Sequence, residues 1–109
     1  MKDKNKIETQ HYSNGNKSCE TPYVNNKKNG LEIRWNSNGN KTTEIPYVND
    51  KIHGFAIRFY NNGNKQYETT YVNGKRHGLE IWWHDNGNKW YEAPYKNHLQ
   101  HGSRIEFKY

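Results

Sequence analysis

The sequence is poor in the residues on which secreted domains and redox or metal sites depend. Its 109 residues include one cysteine, Cys19, so a disulfide framework and a paired-cysteine metal or redox motif are both excluded. Hydrophobic residues make up 30% of the chain, and no run of them approaches the roughly 20 residues of a membrane-spanning helix. The first residues are polar and lack the apolar segment of a secretory signal. We therefore expect a cytoplasmic protein.

Aromatic residues and positive charge are what the sequence has in excess. Phe, Trp and Tyr make up 15% of the chain, which is far more than a disordered segment carries. They recur at regular positions, so they predict a folded chain with a continuous aromatic stripe. The net charge of +6 permits an acidic protein surface or a nucleic acid as a partner.

Glycines recur at intervals of 24 residues without an insertion or deletion. One series comprises Gly15, Gly39, Gly63 and Gly87, and the other comprises Gly30, Gly54, Gly78 and Gly102. A fixed period in the twenties is typical of stacked units that bury their apolar side chains only against their neighbours. We therefore predict one domain over residues 1–109, divided into units 7–30, 31–54, 55–78 and 79–102 and a final strand at 103–109.

Each unit contains two runs in which apolar and polar residues alternate. The first run is represented by Leu31, Ile33 and Trp35, and the second, after Asn-Gly, by Tyr67, Thr69 and Tyr71. A period of two residues indicates a β-strand, and Asn-Gly between two such runs indicates a hairpin. The predicted fold is all-β: a single-layer, twisted antiparallel meander of tandem 24-residue β-hairpins with about nine strands.

Proline precedes the tyrosine of the second strand in three of the four units. The residues are Pro22, Pro46 and Pro94, and Thr70 takes their place in the third unit. Because proline has no N–H for the ladder, we expect these strands to lose pairing or to bulge at that point. The third unit is then expected to be the most regular.

The hairpin register is predicted from the assumption that the large residues of both strands share one face, which requires a loop with an odd number of residues. Centring the hairpins on Asn would place Glu80 opposite Glu92, and like charges in that position repel. Centring them on Gly is the register that we predict. Its pairs are Arg34–Glu44, Arg58–Glu68, Asp85–Lys89, Trp82–Glu92 and Trp90–His84. A type I turn with a G1 bulge would favour the first alternative.

Two recurring segments have a familiar form: YVNGKRHG at 71–78, and WHDNG at 83–87. They resemble the MORN repeat, and more closely its bacterial variant, and the resemblance extends from Ile7 to Tyr109. It implies β-hairpin repeats without catalytic residues, in proteins that scaffold other proteins, bind lipids or act as antitoxins. The chain departs from the pattern in the links: Asn26, Asp50 and His98 stand in the position of Gly74, and Leu99 replaces a lysine. We therefore expect the loop 97–100 to be specialised.

Histidines and glutamates recur in columns that do not suit catalysis. His53, His77 and His101 occupy equivalent positions, which lie two strands or about 10 Å apart and cannot share one metal ion. The repeated glutamates are alike, whereas catalytic carboxylates work in pairs whose environments differ. We predict no enzyme activity, no metal and no cofactor, and we expect the glutamates to pair with Arg34, Arg58 and nearby lysines.

Two tryptophans break the repeat. Trp82 stands where the other units have Arg34 and Arg58, and Trp90 stands where they have a small or polar residue. In the predicted register the two indoles are diagonal neighbours on one face. Trp, Tyr and Arg provide most of the binding energy in protein interfaces. The predicted partner-binding residues are Trp82, Trp90, Arg58, Tyr60, Arg34 and His84. Alternatively, the two indoles only cover each other.

The function that we predict is that of a non-catalytic module that binds a partner protein and blocks or neutralises it. An antitoxin, or a mobile-element inhibitor of a host nuclease or defence enzyme, acts in this way. The first alternative is a nucleic-acid-binding protein that uses ridges of basic residues between aromatic ones. The residues of these ridges are Lys41, Lys65, Lys89, Lys75 and Arg76. The second is a self-associating scaffold, a homodimer formed through the strand Arg104 to Tyr109. An anionic membrane surface is the least favoured partner.

Overall fold

The computed structural model describes residues 4–107, and the regular elements in that range are all β-strands. The strands are β1 (Asn5–His11), β2 (Lys17–Val24), β3 (Lys27–Lys28), β4 (Gly30–Trp35), β5 (Lys41–Val48), β6 (Lys51–Ile52), β7 (Gly54–Phe59), β8 (Lys65–Val72), β9 (Lys75–Trp83), β10 (Lys89–Lys96), β11 (Leu99–Gln100) and β12 (Ile105–Glu106). They form one open antiparallel sheet.

The long strands pair with their neighbours in chain order. The path runs β1-β2-β4-β5-β7-β8-β9-β10, and β12 pairs with β10 at the far edge. The sheet measures 50 × 35 × 15 Å, and its small thickness corresponds to one layer of strands with their side chains. The predicted all-β, single-layer meander of hairpin repeats is confirmed. The predicted final strand, 103–109, forms a ladder at Ile105–Glu106, and the amide of Phe107 donates to the carbonyl of Trp90 at 2.9 Å. Residues 108–109 lie outside the described residues.

A type I turn with a G1 bulge closes each hairpin at Asn-Gly. In the first unit the amide of Gly15 donates to the carbonyl of Tyr12 at 3.0 Å, and the amide of Tyr12 donates to the carbonyl of Asn16 at 2.8 Å. Gly15 has a φ of 92°, which glycine adopts without a steric penalty. Equivalent bonds recur in the other three units. At the turn itself, the hairpin is therefore centred on the Asn that precedes the glycine.

A second bulge follows the turn and shifts the register by one residue. In the second unit Trp35 lies opposite Lys41 but Arg34 lies opposite Thr43, so Thr42 is the additional residue. The predicted register is therefore wrong, because the prediction assumed a regular ladder beyond the turn and a bulge adds a residue to one strand only. The pairs that do not form are Arg34–Glu44, Arg58–Glu68, Asp85–Lys89, Trp82–Glu92 and Trp90–His84.

The second bulge distributes the large side chains over both faces of the sheet. Directly opposed residues share a face, and Ile33 lies opposite Glu44 as Ile57 lies opposite Glu68. We call this side the isoleucine face; it carries Ile33, Ile57 and Ile81 with Glu44, Glu68 and Glu92. The other side, the tyrosine face, carries Tyr23, Tyr47, Tyr71 and Tyr95 of the second strands. The assumption that the large residues share one face is thus wrong.

The links between hairpins are tight turns followed by short strands. Two residues with positive φ form each turn, for example Asn49 at 48° and Asp50 at 70°, as in a type I′ turn. After a strand that contains proline the next strand is split, as β3 and β4 or β6 and β7 are, whereas β9 runs unbroken opposite Thr70. The prediction that the third unit is the most regular is confirmed for the continuity of β9. The register nevertheless shifts between Thr69 and Tyr71 as well, so the irregularity at this position does not depend on proline alone.

Hydrogen bonds between units hold the stack together at both ends of the strands. At the Asn-Gly end, the hydroxyl of Tyr12 donates to the carbonyl of Trp35 at 2.7 Å. At the other end, Asp50 Oδ1 accepts from the amide of Lys28 at 2.7 Å. His98, in the loop 97–100, accepts an amide hydrogen bond from the previous unit through Nδ1 at 3.2 Å. The side chains that replace the glycine of the links therefore join one unit to the next.

The best-buried side chains of the described residues form a line on the tyrosine face. They are Thr21, Glu32, Thr69, Glu80 and Ala93, and each is less than a tenth exposed. One of the five is apolar, so the sheet has a small hydrophobic core. Its stability depends on backbone ladders, ion pairs and aromatic contacts, and two of the buried groups are carboxylates that need partners.

Candidate protein-binding surface

A buried carboxylate lies on the tyrosine face between the first two units. Glu32 is 1% exposed and accepts hydrogen bonds from Thr21 Oγ1 at 2.8 Å and from Lys28 Nζ at 3.3 Å. Arg34 Nε donates to its second carboxylate oxygen at 3.2 Å. Burial alone would raise the pKa of Glu32, but the Thr21 hydroxyl and the two cations outweigh burial and hold the pKa below its ordinary value.

An equivalent carboxylate lies two units further along the chain. Glu80 is 8% exposed, accepts a hydrogen bond from Thr69 Oγ1 at 3.2 Å and lies 3.6 Å from Arg76. The position that Arg34 occupies in the first site is taken here by Trp82. An indole thus replaces a guanidinium beside the carboxylate, and this part of the face becomes aromatic.

Five side chains form an aromatic cluster around that indole: Tyr67, Trp82, His84, Trp90 and Tyr91. Trp82 lies between Tyr67 and Tyr91, with ring centroids 4.6 and 5.7 Å away. Trp90 contacts Trp82 edge-on at 6.4 Å and stacks on His84 at 5.1 Å. Trp90 is 40% exposed, whereas Trp82 is half-buried. The two indoles are neighbours as predicted, because Trp90 is the additional residue of the second bulge and turns towards the tyrosine face.

The other predicted partner-binding residues are divided between the cluster and the sheet. Arg58 is exposed and lies opposite Tyr67, which in turn lies opposite Trp82 on the next strand. The hydroxyl of Tyr60 donates to a backbone carbonyl of the next unit at 2.7 Å, and Arg34 is bound to the buried carboxylate. Four of the six residues therefore lie in or beside the aromatic cluster, and the other two take part in bonds that hold the sheet.

Three lysines of the nucleic-acid alternative, Lys41, Lys65 and Lys89, lie on the isoleucine face and are ion-paired. Lys41 Nζ lies 2.8 Å from a carboxylate oxygen of Glu44 and 6.0 Å from the ring centroid of Phe59. Lys65 and Lys89 make the same two contacts with the next carboxylate and the next aromatic ring. The charge of each of these three lysines is therefore balanced locally by a carboxylate, and each lysine covers an aromatic ring.

Lys41, Lys65, Lys89 and Arg34 each pair with a glutamate, but these pairs lie along one strand and not across strands as predicted. The cross-strand pairs Arg34–Glu44 and Arg58–Glu68 do not form. Arg34 pairs with Glu32 on the tyrosine face, and Arg58 lies on that face too, opposite Tyr67. The second bulge places the glutamate column and the arginines on opposite faces, which the predicted register did not allow. The nucleic-acid alternative also includes two basic residues of one link. Arg76 lies over the Tyr95 ring at 4.1 Å, and Lys75 is exposed.

The isoleucine face carries a feature that the sequence reasoning missed. Four large apolar side chains, one from each unit, are exposed in a single row. They are Ile7 at 64%, Leu31 at 43%, Phe55 at 59% and Leu79 at 46% exposure. We call this row the apolar line; its cross-strand partners are Pro22, Pro46, Thr70 and Pro94. The apolar–polar alternation of the first strands indicates that these residues share one face. The predicted register, however, placed the large residues of the second strands on that face as well.

Neither chelating clusters nor membrane helices are found in the described part of the chain. Over residues 4–107, no group of three or more His, Cys, Asp or Glu side chains is arranged to hold a metal ion. The same range contains no helix long and apolar enough to cross a membrane. Of the histidine column, His53 accepts a hydrogen bond from the amide of Asn73 through Nδ1 at 3.2 Å, a loop-stabilising contact of the kind expected for these residues.

The fold and its exposed rows define a β-hairpin repeat protein with the surfaces of a binding module. The family model of the MORN repeat variant matches residues 28–49, 52–73 and 76–97. The chain therefore belongs to the MORN repeat variant family. Repeats of this kind are non-enzymatic and generally bind proteins or membranes. A comparison with curated proteins finds no match.

Proposed function

We propose that this chain is a non-catalytic protein-binding module that acts by covering, and so blocking, a surface of a partner protein. The observation that supports the proposal best is the apolar line on the isoleucine face. Soluble proteins rarely leave contiguous large apolar side chains in water unless the patch is used for binding. Here the exposure is repeated once per unit, so it is a property of the whole surface.

The surroundings of the apolar line resemble those of an interface centre. The line is bordered on the same face by the Lys41–Glu44 ion pair and its equivalents in the other units. An apolar centre with a polar rim is the usual composition of a protein interface. Because the row follows the strand-to-strand direction with a residue about every 10 Å, it suits an elongated partner surface better than a small molecule.

The aromatic cluster is the second contact that we propose, and it lies on the opposite face. Trp90 and His84 are exposed there, Trp82 contacts the Trp90 ring, and Arg58 lies opposite Tyr67 at the edge of the cluster. Trp and Arg are the residue types that dominate interface energetics. Tyr60 also belongs to this proposed site only if its hydroxyl gives up its present bond.

The finer proposal is that binding itself neutralises the partner, as an antitoxin or an inhibitor of a nuclease or defence enzyme does. Repeats of this family supply no catalytic groups of their own, so occupying a surface is the way in which this domain can change the activity of another protein. A cytoplasmic setting is part of the same proposal.

Affinity capture with matched baits tests the proposed function. The wild-type chain, a Phe55→Ser/Leu79→Ser variant, a Trp90→Ser variant and a Lys75→Ser control are immobilised and exposed to lysate treated with nuclease at high salt. We expect a partner that the wild type and the control retain and the Phe55/Leu79 variant loses at least tenfold, since two exposed apolar anchors are removed. Binding is then repeated with the purified partner, whose activity the chain should inhibit.

Two outcomes of the same design contradict the proposal, and a third assigns the binding to the other face. Binding of the purified chain to an oligonucleotide that collapses between low and moderate salt would indicate phosphate contacts. Sedimentation with anionic vesicles that the Phe55/Leu79 variant abolishes would indicate a membrane as the partner. A partner that the Phe55/Leu79 variant still binds and the Trp90 variant loses would retain the protein-binding function but assign it to the aromatic cluster.

A further inference from the structure

The first strand leaves one side of its backbone without a partner. Towards β2, the carbonyl of Lys4 accepts from the amide of Asn25 at 3.0 Å, and the amide of Tyr12 donates to the carbonyl of Asn16 at 2.8 Å. Backbone groups alternate in direction along an antiparallel strand, so the even-numbered residues of β1 face β2. The N–H and C=O groups of Asn5, Ile7 and Thr9 therefore point away from the sheet, where no strand of residues 4–107 pairs with them.

β1 is the longer of the two edge strands, so its edge offers the longer row of backbone groups for pairing. β1 has seven residues in the ladder, and all of them are exposed. At the other edge, β12 contributes two residues, Ile105–Glu106. A long exposed edge strand is a template for pairing with another strand, and proline, which would block the outward N–H groups, does not occur in β1.

Several two-fold registers bring the outward groups of two β1 strands together, and three of them place charged residues of β1 directly opposite each other. One places Lys6 opposite Lys6 of the second copy, and another places Glu8 opposite Glu8. The third places Ile7 opposite Ile7, and then each Lys6 lies opposite Glu8 of the other copy. Like charges directly opposite each other are unfavourable and opposite charges are favourable, so the side chains of β1 select the third register.

We infer that the chain forms a two-fold homodimer through its first strand, with Ile7 on the dimer axis. The register forms two backbone hydrogen bonds between the Ile7 residues and two more at each Asn5–Thr9 pair, about six in total. The Lys6–Glu8 pair within one strand spans 3.3 Å and is highly exposed. Such surface pairs contribute little to stability. Exchanging the Lys6–Glu8 pair within each copy for two Lys6–Glu8 pairs across the axis therefore costs little free energy.

The dimer extends the apolar line across the axis. The two-fold axis is perpendicular to the sheet, so both copies present the same face on the same side. Ile7 of each copy lies on the isoleucine face, opposite Pro22, and the two rows meet at the axis. The line then contains eight exposed apolar residues, from Leu79 of one copy to Leu79 of the other. The dimer does not depend on the proposed function, since its contacts are confined to β1.

Charge exchange on β1 tests the register directly. Lys6→Glu gives strands that repel each other, Glu8→Lys does the same with the opposite sign, and a mixture of the two variants restores both cross-axis pairs. By sedimentation equilibrium we expect the wild type to dimerise. The dimer dissociation constant of each variant alone should be at least about tenfold higher, and the mixture should form heterodimers. Circular dichroism and thermal unfolding of each variant verify that the monomer remains folded.

Engineered cysteines provide a second, geometric test. In a Cys19→Ser background, Ile7→Cys places two thiols on the axis, where the Cα atoms of a hydrogen-bonded pair are about 5.5 Å apart and within disulfide range. Thr9→Cys, on the same edge and the same face, is the matched control because its thiols are more than about 10 Å apart. We expect mild oxidation to cross-link the Ile7→Cys protein and to leave the Thr9→Cys protein without a cross-link.

Several results would overturn the dimer. A wild type that stays monomeric at millimolar concentration excludes it, and so does a dimer that neither charge variant weakens. A dimer lost on Phe55→Ser but insensitive to the β1 charges would be a face-to-face association. One lost on removal of the last five residues but insensitive to the β1 charges would be formed through the other edge. None of these results bears on whether the monomer binds a partner protein.

Discussion

Arg34 and Trp82 occupy equivalent positions in the repeat but serve different ends. Arg34 donates to a buried carboxylate and helps to keep it charged. The equivalent carboxylate, Glu80, instead accepts a hydrogen bond from Thr69 and lies 3.6 Å from Arg76. Trp82 packs between the rings of Tyr67 and Tyr91. A single residue type at one position of the repeat therefore decides whether that part of the tyrosine face is ionic or aromatic.

The charge of Glu32 makes the stability of the protein depend on pH. Its pKa in the folded chain is lower than the ordinary value of about 4.5, so ionised Glu32 stabilises the fold above that value, and the stabilisation is lost as the pH falls through the lowered pKa. We expect the free energy of unfolding, measured with urea, to fall more between pH 5 and pH 3 in the wild type than in Glu32→Gln. Parallel curves would show that Glu32 does not couple to folding.

Gly30 and Gly78 allow the effect of backbone strain on stability to be separated from the effect of a close side-chain contact. Both have a positive φ, 121° and 101°, so alanine is strained at each. A Cβ atom at Gly30 would lie 2.8 Å from Pro22 Cγ, whereas one at Gly78 would lie 3.6 Å from Thr70 Cβ. We expect Gly30→Ala to lower the free energy of unfolding by about 1–3 kcal/mol more than Gly78→Ala. Equal losses would mean that backbone strain alone matters here.

At the scale of the hairpin, the two bulges decide what each face carries. The G1 bulge at Asn-Gly follows from local chemistry, because glycine accepts the φ of about 90° that this turn requires. The second bulge has no equivalent local marker: the additional residue is Ser18, Thr42, Gln66 or Trp90 in the four units. It nevertheless reverses the assignment of every side chain beyond it.

Deletion of the additional residue tests the importance of the second bulge. Without Thr42, either the turn or the body of the hairpin must adopt the wrong register, so we expect a loss of about 3 kcal/mol or more in the free energy of unfolding. Thr42→Ala removes only the hydroxyl that donates to the carbonyl of Arg34 at 3.3 Å and should cost about 1 kcal/mol or less. Similar losses on deletion and substitution, measured by denaturant unfolding, would show that the hairpin tolerates either register.

At the scale of the molecule, the sheet is a stack in which each strand contacts its neighbours. Stability in such an assembly is close to a sum of unit and nearest-neighbour terms. The units are then coupled by the ladders between adjacent hairpins, β2–β4, β5–β7 and β8–β9, and by the hydrogen bonds from Tyr12 to Trp35 at one end and from Lys28 to Asp50 at the other. The edges have a neighbour on one side and should open first.

Hydrogen exchange measured by NMR at low protein concentration should report this gradient. We expect the slowest exchange in the central strands β5, β7 and β8. In β1 the amides should alternate, with Lys6 and Glu8 protected by their bonds to β2 and Ile7 and Thr9 close to unprotected. Uniform protection along β1 in the monomer would contradict the assigned direction of its backbone groups.

The sequence alone determined the repeat, the strands, the Asn-Gly turns and the all-β meander, because glycine spacing and two-residue alternation are local properties of the chain. It also indicated that Trp82 and Trp90 would be neighbours, although through a register that the structure does not have. The register, the separation of isoleucines from tyrosines, and the exposure of the apolar line were decided only by the tertiary structure. The physical reason is the second bulge: one additional residue in one strand exchanges the two faces, and cross-strand packing, not local alternation, determines where that residue is placed.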